Sequence, residues 1–522
     1  MALSSTIIWE FWDNATASMV NGGGFKTGAT GTDFSQQAAA QYNLTGVTTA
    51  AADAIMLTAS AAADMVGNTC RVVSGTNFTT GWYEIVSVVV GVSITVDRNC
   101  TSAAGAAGVV NIGGALSLNS TLDDDFFESI VAGNTVYFKQ GTFTVGETMA
   151  IVATSATAIT PINIIGYNST RGDNPRGSTR PTIAAGANQL QWGQFMNVSH
   201  IIFTSTAASG CDFARGNNVV ACKSTNTSTT AGRFAFRAAG VDVSFYDCEA
   251  TSQNGIGIGF VANLRCKAIG CYIHDCETGL NSSNAGQDVI DCIFEGNRTA
   301  AITSTSSTGG WTIKNNTIYG REGKVGIGIN LNIDPSPAYK IIGNIIYGLT
   351  TGALALTTEQ KSNFLKYNCF NNNTTNATNI TLDATDITTA PAFANVAQVT
   401  GSTATTSGSV LTQSGGDFST VTDNESFLHV LSGTGVTTGG YLITSHTGTT
   451  LTVNNALGTS SAGDVTYYVT TKHDFAVGVN MKAAGAQSSF IGGLTNQYLD
   501  IGALQRPEPV TLKFVGPGGL VA

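Results

Sequence analysis

Charged side chains are scarce in this chain. Only 11% of its 522 residues are Asp, Glu, Lys or Arg, against about 25% in ordinary soluble domains. It has 9 prolines and 5 histidines, a net charge of −10, no basic tract, and no apolar run that approaches a membrane span. Because nucleic-acid binding depends on clustered Lys and Arg, these absences argue against a nucleic-acid partner, and we expect no membrane partner either.

A near-constant spacing runs through the middle of the chain. Residues in similar local patterns recur every 21 to 28 positions, in the series His200, Cys222, Cys248, Cys271, Cys292, Asn316, Asn344 and Cys369. A period of this size, built from short apolar pieces bounded by Gly, Asn, Ser and Thr, predicts stacked units that close one continuous core. We therefore predict an all-β fold, a right-handed single-stranded parallel β-helix with one coil per repeat.

Equivalent residues of successive coils stack in such a fold, so like side chains form ladders. Stacked Asn amides bind each other, and we expect the cysteines to be small buried thiols. There are ten of them: Cys70, Cys100, Cys211, Cys222, Cys248, Cys266, Cys271, Cys276, Cys292 and Cys369. Metal ligands or disulfides are the alternatives. The cluster Cys266, Cys271 and Cys276 has no CxxC pair, which disfavours zinc. We predict no metal and no cofactor, and one disulfide between adjacent coils stays an alternative.

Two stretches of the chain resemble each other. Ser74–Ser87 and Ser432–Ser445 match at nine of fourteen positions, and Ile94–Asp97 matches Leu451–Asn454 after one deletion. A duplicated β-module is typical of a cap, spacer or contact element, because the open ends of a solenoid need cover. We predict an N-terminal region over 1–118 with a module at about 66–114, the β-helix over 119–398, the second module over 399–470, and closing strands with a tail over 471–522.

The β-helix is expected to begin with a cap. Thr121–Ile130 predicts a short helix, with Thr121 as its N-cap and acidic residues in its first turn. A calcium loop is the alternative reading of those acidic residues. Gly133–Val145 then predicts two strands around a glycine turn.

Several of these segments resemble a known group of proteins. They are Phe11-Trp12-Asp13 with Asn21–Phe25, the strand pair Gly133–Val145, and the ending Asp500–Gln505. With the coils, they resemble right-handed parallel β-helix proteins of the pectate lyase-like fold found in phage genomes and environmental sequences, over most of residues 1–506. This fold hosts lyases, hydrolases and structural proteins. The resemblance implies a phage tailspike, fibre or capsid-surface decoration, commonly trimeric.

The resemblance also implies partners and a location. It implies a structural bacteriophage virion protein that forms a rigid appendage as a homotrimer, contacts other virion proteins, and has a host-surface polysaccharide as its possible ligand. The first residues, Met1–Glu10, lack the basic and apolar regions of a signal peptide. We therefore expect synthesis in the host cytoplasm and a final location on the extracellular particle. A signal removed before residue 1 and a bacterial surface adhesin are the alternatives.

A polysaccharide-degrading lyase or hydrolase is the alternative function, and whether the chain is an enzyme stays open. A hydrolase on this fold needs two or three carboxylates that converge on one face. The Gly-His-Gly element and the other motifs of polygalacturonases are absent. Ionisable residues are densest in the central coils, and the candidate catalytic residues are placed there: His274, Asp275, Asp291 and Glu295.

Counting from the recurring position of each coil predicts two columns. Glu277, Arg298 and Glu322 would stack as a salt-bridge ladder. His274, Glu295, Tyr319 and Tyr347 would stack as a polar column, either a groove that grips a sugar or a solvated edge. The candidate substrate-binding residues are Tyr319, Tyr347, Arg298 and Trp311.

Three further features have weaker signals. Trp192 and Trp311 are either sugar platforms or core residues. The triplet Arg171-Gly172-Asp173 lies in a loop composition and predicts a surface turn rather than an adhesion motif. The apolar tail after Arg506 is either a docking strand for a neighbouring subunit or disordered.

Overall fold

The computed structural model shows an all-β protein with about 3% helix. It describes residues 3–118, 123–151, 156–206, 210–261, 264–305, 310–320, 326–331, 339–356, 364–391, 399–423, 426–437, 439–453, 456–470, 487–489 and 495–498. The helical elements are the α-helix Asp123–Ser129 and the 3-10 turns Ala63–Met65 and Gly177–Thr179. Among the described residues, none of the helices has the length and apolar character that crossing a membrane requires.

The predicted right-handed parallel β-helix is confirmed, with about nine turns. Each turn contributes one short strand to each of three sheets, here called A, B and C. Sheet A consists of Gly24–Lys26, Ile7–Phe11, Thr135–Lys139, Ile162–Tyr167, Met196–Ser199, Asn218–Val220, Ser244–Tyr246, Lys267–Ile269, Asp288–Ile290, Thr312–Lys314, Lys340–Ile342 and Phe364–Lys366. Sheet B consists of Thr142–Thr144, Thr182–Gly186, Ile202–Ser205, Lys223–Asn226, Glu249–Ser252, Tyr272–His274, Ile293–Glu295, Thr317–Tyr319, Ile345–Tyr347 and Cys369–Asn371. Sheet C consists of Met149–Ile151, Leu190–Trp192, Cys211–Phe213, Phe234–Ala238, Ile256–Phe260, Thr278–Ser282, Ala300–Ser304, Ile327–Leu331, Gly352–Leu356 and Ala377–Thr378.

The core forms because each coil places the same strand positions inside. In sheet A the middle residues Ala268, Val289 and Ile313 are fully buried and pair in register, while their neighbours are half-buried. Side chains alternate across a strand, so a three-residue strand places one residue in the core. No single coil encloses this interior, which is why the coils must stack.

The recurring Cys and Asn residues share one physical role. They lie at the turn between sheets A and B, and each donates a hydrogen bond to the carbonyl of the middle sheet A residue one coil earlier. The thiol of Cys292 donates to Ala268 O at 3.3 Å, and the amide of Asn316 donates to Val289 O at 2.9 Å. The same bond is made by Cys222, Cys248, Cys271, Asn344 and Asn368. A small buried donor occupies this position in each coil from Cys222 to Asn368.

The predicted asparagine ladder is confirmed and extends one coil further than expected. Asn316 Nδ2 donates to Asn344 Oδ1 and Asn344 Nδ2 donates to Asn368 Oδ1, each at 2.9 Å. The two ends of the predicted series were wrong by one residue. Strand register places Ile201, not His200, and Asn368, not Cys369, in the column, because Ile202 and Cys369 already belong to the sheet B strands.

The ten cysteines are all free and buried. Burial raises the pKa of the Cys222 and Cys266 thiols to about 11 each. These two thiols are therefore protonated near neutral pH, which suits a donor in the core and not a nucleophile.

The N-terminal end differs from the predicted boundaries. Ile7–Phe11 pairs in parallel with Thr135–Lys139, so residues placed before the coils form their first strand. The predicted capping helix is confirmed as Asp123–Ser129, with Phe126 against Trp9 at 5.0 Å between ring centroids. Thr121 lies outside the described residues, as do Glu322, Asp500–Gln505 and the tail after Arg506.

The two similar modules are six-stranded closed barrels with the same strand order. The first consists of Tyr42–Thr49, Ile55–Leu57, Thr69–Phe78, Gly81–Val89, Ser93–Val96 and Thr101–Ile112. The second consists of Val399–Ser407, Val410–Thr412, Phe427–Ser432, Gly439–His446, Thr450–Val453 and Ser460–Thr470. The first barrel starts at Tyr42 and not at about residue 66, because its first two strands precede the stretch in which the copies match. A separate two-stranded sheet is formed by Gln487–Ser489 and Thr495–Tyr498.

The barrels share a detail that is independent of their strand order. The hydroxyl of Tyr83 donates to Thr79 O at 3.0 Å, and that of Tyr441 donates to Thr437 O at 2.7 Å. These tyrosines occupy matched positions of the two sequence stretches, so the alignment of the copies holds at the level of single contacts.

The asparagine ladder yields a stability prediction. Asn344→Ala removes partners of Asn316, Asn368 and Ile313 in the core, and we expect a loss of about 3 kcal/mol in the free energy of unfolding, because buried polar groups left unpaired are costly. Asn218→Ala is the matched control. Asn218 donates to Asn197 in an exposed ladder, and we expect a change within about 0.5 kcal/mol. Denaturant unfolding of both variants measures this, and equal losses would contradict the buried ladder's role.

Candidate functional site

The predicted polar column exists on the outer side of sheet B. His274, Glu295, Tyr319 and Tyr347 pair in register over four coils, which confirms their stacking. The rings of Tyr319 and Tyr347 lie parallel at 5.8 Å. His274 and Glu295, however, are fully buried although they point away from the solenoid core. Another part of the chain must therefore cover them.

The second barrel covers the column. Nε2 of His429 lies 3.2 Å from Oε1 of Glu295, and the hydroxyls of Tyr468 and Tyr319 are 3.0 Å apart. The Phe427 ring lies 4.3 Å from the His274 ring. The part of the column from His274 to Tyr319 is thus an internal interface of this chain and not an open groove for a sugar.

His274 lies in a network of opposite charges. Its Nδ1 is 2.9 Å from Asp275 Oδ2 and its Nε2 is 3.4 Å from Glu249 Oε1, while Lys223 Nζ is 2.7 Å from the same Glu249 oxygen. Burial lowers the pKa of His274, but the two carboxylates outweigh burial and the net pKa is raised above its usual value. Likewise burial raises the pKa of Glu249, and Lys223 with His274 outweighs it and holds the net pKa well below its usual range. Nearby opposite charges stabilise both ionised forms.

Glu295 is held by the column itself and by the barrel. The hydroxyl of Tyr272 donates to Glu295 Oε2 at 2.5 Å, while His429 approaches the other oxygen. A general acid or nucleophile must reach a substrate, and both oxygens of this carboxylate face protein groups. The geometry gives Glu295 a docking role, which corrects its placement in an accessible active site.

Asp275 and Asp291 occupy turn positions and not a shared site. Asp291 has φ +55° in the turn before sheet B, where the coil below has Gly270 and the coil above has Asn315, both also at positive φ. Asp275 has φ +53° in the turn after sheet B. Asp, Asn and Gly tolerate this left-handed conformation best, which explains both aspartates as backbone choices.

The two aspartates are also too far apart to cooperate. Asp275 follows the sheet B strand and Asp291 precedes the next one, so a full strand length separates the two turns, on the order of 15 Å. Paired glycosidase carboxylates stand roughly 5–9.5 Å apart. Burial raises the pKa of Asp291, yet the structure brings no second candidate carboxylate to it. The four predicted catalytic residues therefore do not form one site.

The remaining substrate-binding candidates are engaged within the protein. Arg298 lies 3.1 Å from Glu277, which confirms that pair of the predicted ladder, and it also donates to Asn254 at 3.3 Å. Trp311 is fully buried with its indole N–H donating to Asn284 O at 3.0 Å. Trp192 is buried in the core as well. The assignment of Trp311 to a sugar-binding surface is corrected, because the core encloses its ring.

Sequence reasoning missed the barrel side of this interface. Phe427, His429 and Tyr468 carry the contacts, and nothing in their local sequence indicates which surface they cover. The duplicated module does indicate which face docks, because matched residues lie on the docking face of both barrels. His429 pairs with Tyr468, and the matched residue Arg71 pairs with Asn111 and Trp82.

The first barrel uses that same face to contact the start of the solenoid. The indole N–H of Trp82 donates to Asn21 O at 3.1 Å, and Asn111 Nδ2 donates to Val20 O at 2.8 Å. The Trp82 ring also meets Phe126 of the capping helix at 5.4 Å. One barrel face therefore docks twice, once on the solenoid's end and once on its side.

A second buried charge cluster explains the Arg-Gly-Asp triplet. Glu10 is fully buried and accepts hydrogen bonds from Arg171 Nε at 2.7 Å and from the Trp12 indole at 2.8 Å. Asp173 accepts backbone N–H groups of its own loop, including that of Ser169 at 2.8 Å. Both charged ends of the triplet serve the local structure, as expected for a turn.

No group of three or more His, Cys, Asp or Glu side chains within the described ranges is arranged to hold a metal ion.

Comparisons with known proteins give matches to solved structures at low sequence identity. No protein-family model matches the sequence, and no curated protein matches it. Among solved structures, pectate lyase Pel9A is 10% identical with a TM-score of 0.40, over 73% of this chain and 90% of that one. The catalytic unit of a GH87 α-1,3-glucanase from Streptomyces thermodiastaticus strain HF3-3 is 9% identical with a TM-score of 0.28, over 68% and 84%. The tailspike protein gp49 from Pseudomonas phage LKA1 is 10% identical with a TM-score of 0.20, over 84% and 83%.

The docked barrel gives a prediction with an internal control. His429→Ala leaves buried Glu295 without its barrel partner, and we expect docking to weaken by about 3 kcal/mol. Hydroxyl-radical footprinting should then show Tyr272 becoming more reactive. His446→Ala is the control, since His446 pairs with Asp423 on the exposed side of the same barrel and should leave Tyr272 protected. Equal protection of Tyr272 in all three proteins would refute docking through His429.

The charge network gives a pH prediction. The raised pKa of His274 means that its contribution to stability is complete below its unfolded value of about 6.5 and is lost as pH rises through the folded value. The depressed pKa of Glu249 means that its contribution is lost as pH falls below about 4.5. Stability should therefore fall from pH 6.5 upward in the natural chain, and this dependence should be absent in His274→Gln.

His200→Gln is a control, because the pKa shift of His200 has the opposite sign to that of His274. Burial lowers the pKa of His200, so its protonation opposes folding, and its effect should appear only below about pH 6.5. Unfolding free energies at several pH values measure both effects. If the natural chain and His274→Gln had the same slope between pH 6.5 and 8.5, the predicted network would be wrong.

Proposed function

We propose that this chain is a structural protein of a bacteriophage particle, a tailspike, fibre or capsid-surface component. It provides a rigid β-helical appendage. The observation that carries the proposal is the barrel docked on sheet B. The polar column of sheet B contacts the chain's own barrel through His429 and Tyr468. This use of the column supports a mechanical role over a catalytic one.

The internal bonds support the same role. Parallel strands in register, a continuous column of buried turn donors and two barrels docked by one face make a stiff body with few independent parts. The charged side chains of the central coils that would otherwise mark a catalytic groove are paired between coils, as in Arg298 with Glu277. The resemblance of Phe11-Trp12-Asp13 and the Gly133–Val145 strand pair to phage β-helix proteins directs the proposal to a virion.

The proposal includes partners and a location. The chain assembles as a homotrimer on the extracellular particle after synthesis in the host cytoplasm, and it contacts other virion proteins. A host-surface polysaccharide is its external ligand, bound on a solenoid surface that the barrels leave open.

Labelling of particles tests the proposal. Antibodies raised against the purified chain should decorate intact phage particles in immunogold electron microscopy, at their tails or capsid surface. Label confined to bacterial cells or to the soluble fraction would reject a virion location. Preimmune serum is the control for non-specific adsorption.

An activity assay separates the structural role from the enzymatic alternative. The purified chain should release no unsaturated or reducing ends from acidic polysaccharides, and Asp291→Asn should behave as the natural chain does. Asparagine is the substitute because Asn315 stands at the matched place of the next coil in the same left-handed conformation. Depolymerisation that disappears in Asp291→Asn would establish the enzymatic role instead.

A further inference from the structure

The first barrel carries an apolar patch that faces solvent. Six of its aliphatic side chains are 40–66% exposed: Ile55, Leu57, Val86, Val89, Val90 and Val92. They occupy the strands Ile55–Leu57 and Gly81–Val89, which both pair with Ser93–Val96, and the hairpin turn between Val89 and Ser93. Leu57 and Val89 both pair with Ser93, one from each side, and Val92 N donates to Val89 O at 2.9 Å in the hairpin turn. Patches of a few hundred Å² on a monomer commonly mark interaction sites.

The second barrel shows that the fold does not require this patch. Strand register matches Leu57 to Thr412, and the aligned sequences match Val86 to Thr444, Val89 to Thr447 and Val92 to Thr449, while Val90 falls at the single deletion. Thr412, Thr447 and Thr449 are exposed in that barrel. The same architecture therefore stands in the same chain with hydroxyls at four of the six positions, while Ile55 matches Val410. Exposed apolar side chains bring the first barrel no folding advantage.

The patch also lies away from the face that holds the solenoid. That face consists of Arg71, Trp82 and Asn111, and it is already occupied. The patch lies on Ile55–Leu57, the end of Gly81–Val89 and the hairpin turn that follows it instead. Docking to the chain's own solenoid thus accounts for one side of the barrel, and among the described residues this other side stays exposed.

Charge indicates which partner fits. Residues 54–63 and 86–96 contain no charged residue. The acidic residues beside these segments are Asp53, Asp64, Glu84 and Asp97. Glu84 and Asp97 are buried and paired with Lys26 and Arg98. Asp53 and Asp64 are half-buried and accept hydrogen bonds from Ile55 N and the Tyr42 hydroxyl. A chain of net charge −10 repels its own copies, so an uncharged surface is where two copies approach at the lowest electrostatic cost. A patch of methyl groups has no directional groups, so copies of it can pack against one another around a symmetry axis.

We propose that this patch, with the Ser and Thr residues around it, is a contact surface between copies of this chain. The aliphatic side chains would form the centre of the contact, and Thr58, Ser87 and Thr95 its polar rim. A standard interface buries roughly 800 Å² on each partner, so the rim must contribute along with the centre. The inference does not rest on the virion assignment, because it follows from the two barrels of one chain.

The second barrel supplies the design of the test. The variant Leu57→Thr/Val86→Thr/Val89→Thr/Val92→Thr gives the first barrel residues that the same fold already carries at the matched positions, so folding should be retained, which its circular dichroism checks. Ile159→Thr is the control. Ile159 is exposed by 91% in the loop before Ile162–Tyr167, outside the barrel.

Light scattering of the full chain at graded concentrations measures the outcome. We expect the natural chain and Ile159→Thr to have a mass that is a multiple of 53.7 kDa, and the fourfold threonine variant to have the monomer mass. A monomeric natural chain at every concentration tested would overturn the inference, and so would a fourfold variant that keeps the oligomer mass. Labelled phage particles combined with a monomeric protein would sustain the proposed virion location and reject this inference together with the proposed homotrimer.

Discussion

The hydrogen bond from each turn to the coil below it is the interaction on which the rest of the structure depends. Cys292 and Asn316 differ in chemistry, yet both place a donor on the carbonyl of the buried residue one coil earlier. This bond fixes the register of adjacent coils, because a shift of one residue would turn every sheet A side chain to the other face. Buried carbonyls without a donor are costly, so the column carries small donors from Cys222 to Asn368, and their recurrence makes the repeat visible in the sequence.

What could be predicted from the sequence follows from that restriction. Because the coils are in register, counting from the recurring residue placed His274, Glu295 and Tyr319 in one column and Glu277 next to Arg298, and the structure has both. The first strand, Ile7–Phe11, escaped detection because the first barrel separates it from the next coil by more than a hundred residues. The cover over the column escaped for a similar reason. A contact between Glu295 and His429 joins surfaces that are distant in the chain, and no periodicity reports such a pairing.

The two barrels show how one docking face adapts to two surfaces. At the end of the solenoid the partner is apolar and helical, and the barrel presents Trp82 with the Arg71 guanidinium 3.9 Å above its ring. On the side of the solenoid the partner is a polar column. There the residue that matches Arg71 is His429, whose ring stacks on that of Tyr468 at 4.4 Å between ring centroids. A cation over an aromatic ring and a stacked imidazole both keep a polar group on an apolar base. The strand order is retained, and the side chains are changed to suit the surface.

This comparison within one chain also bears on where function lies. Titratable groups gathered in a fold usually suggest chemistry, but the groups gathered here at His274 and Glu295 are explained by the barrel they hold and by the left-handed turns beside them. The positions that the fold leaves unexplained are those at which the two barrels differ on exposed surface. Leu57 and Val89 are exposed while Thr412 and Thr447 stand at the matched places. Since both barrels fold, this difference is the observation from which we infer a contact outside the barrel.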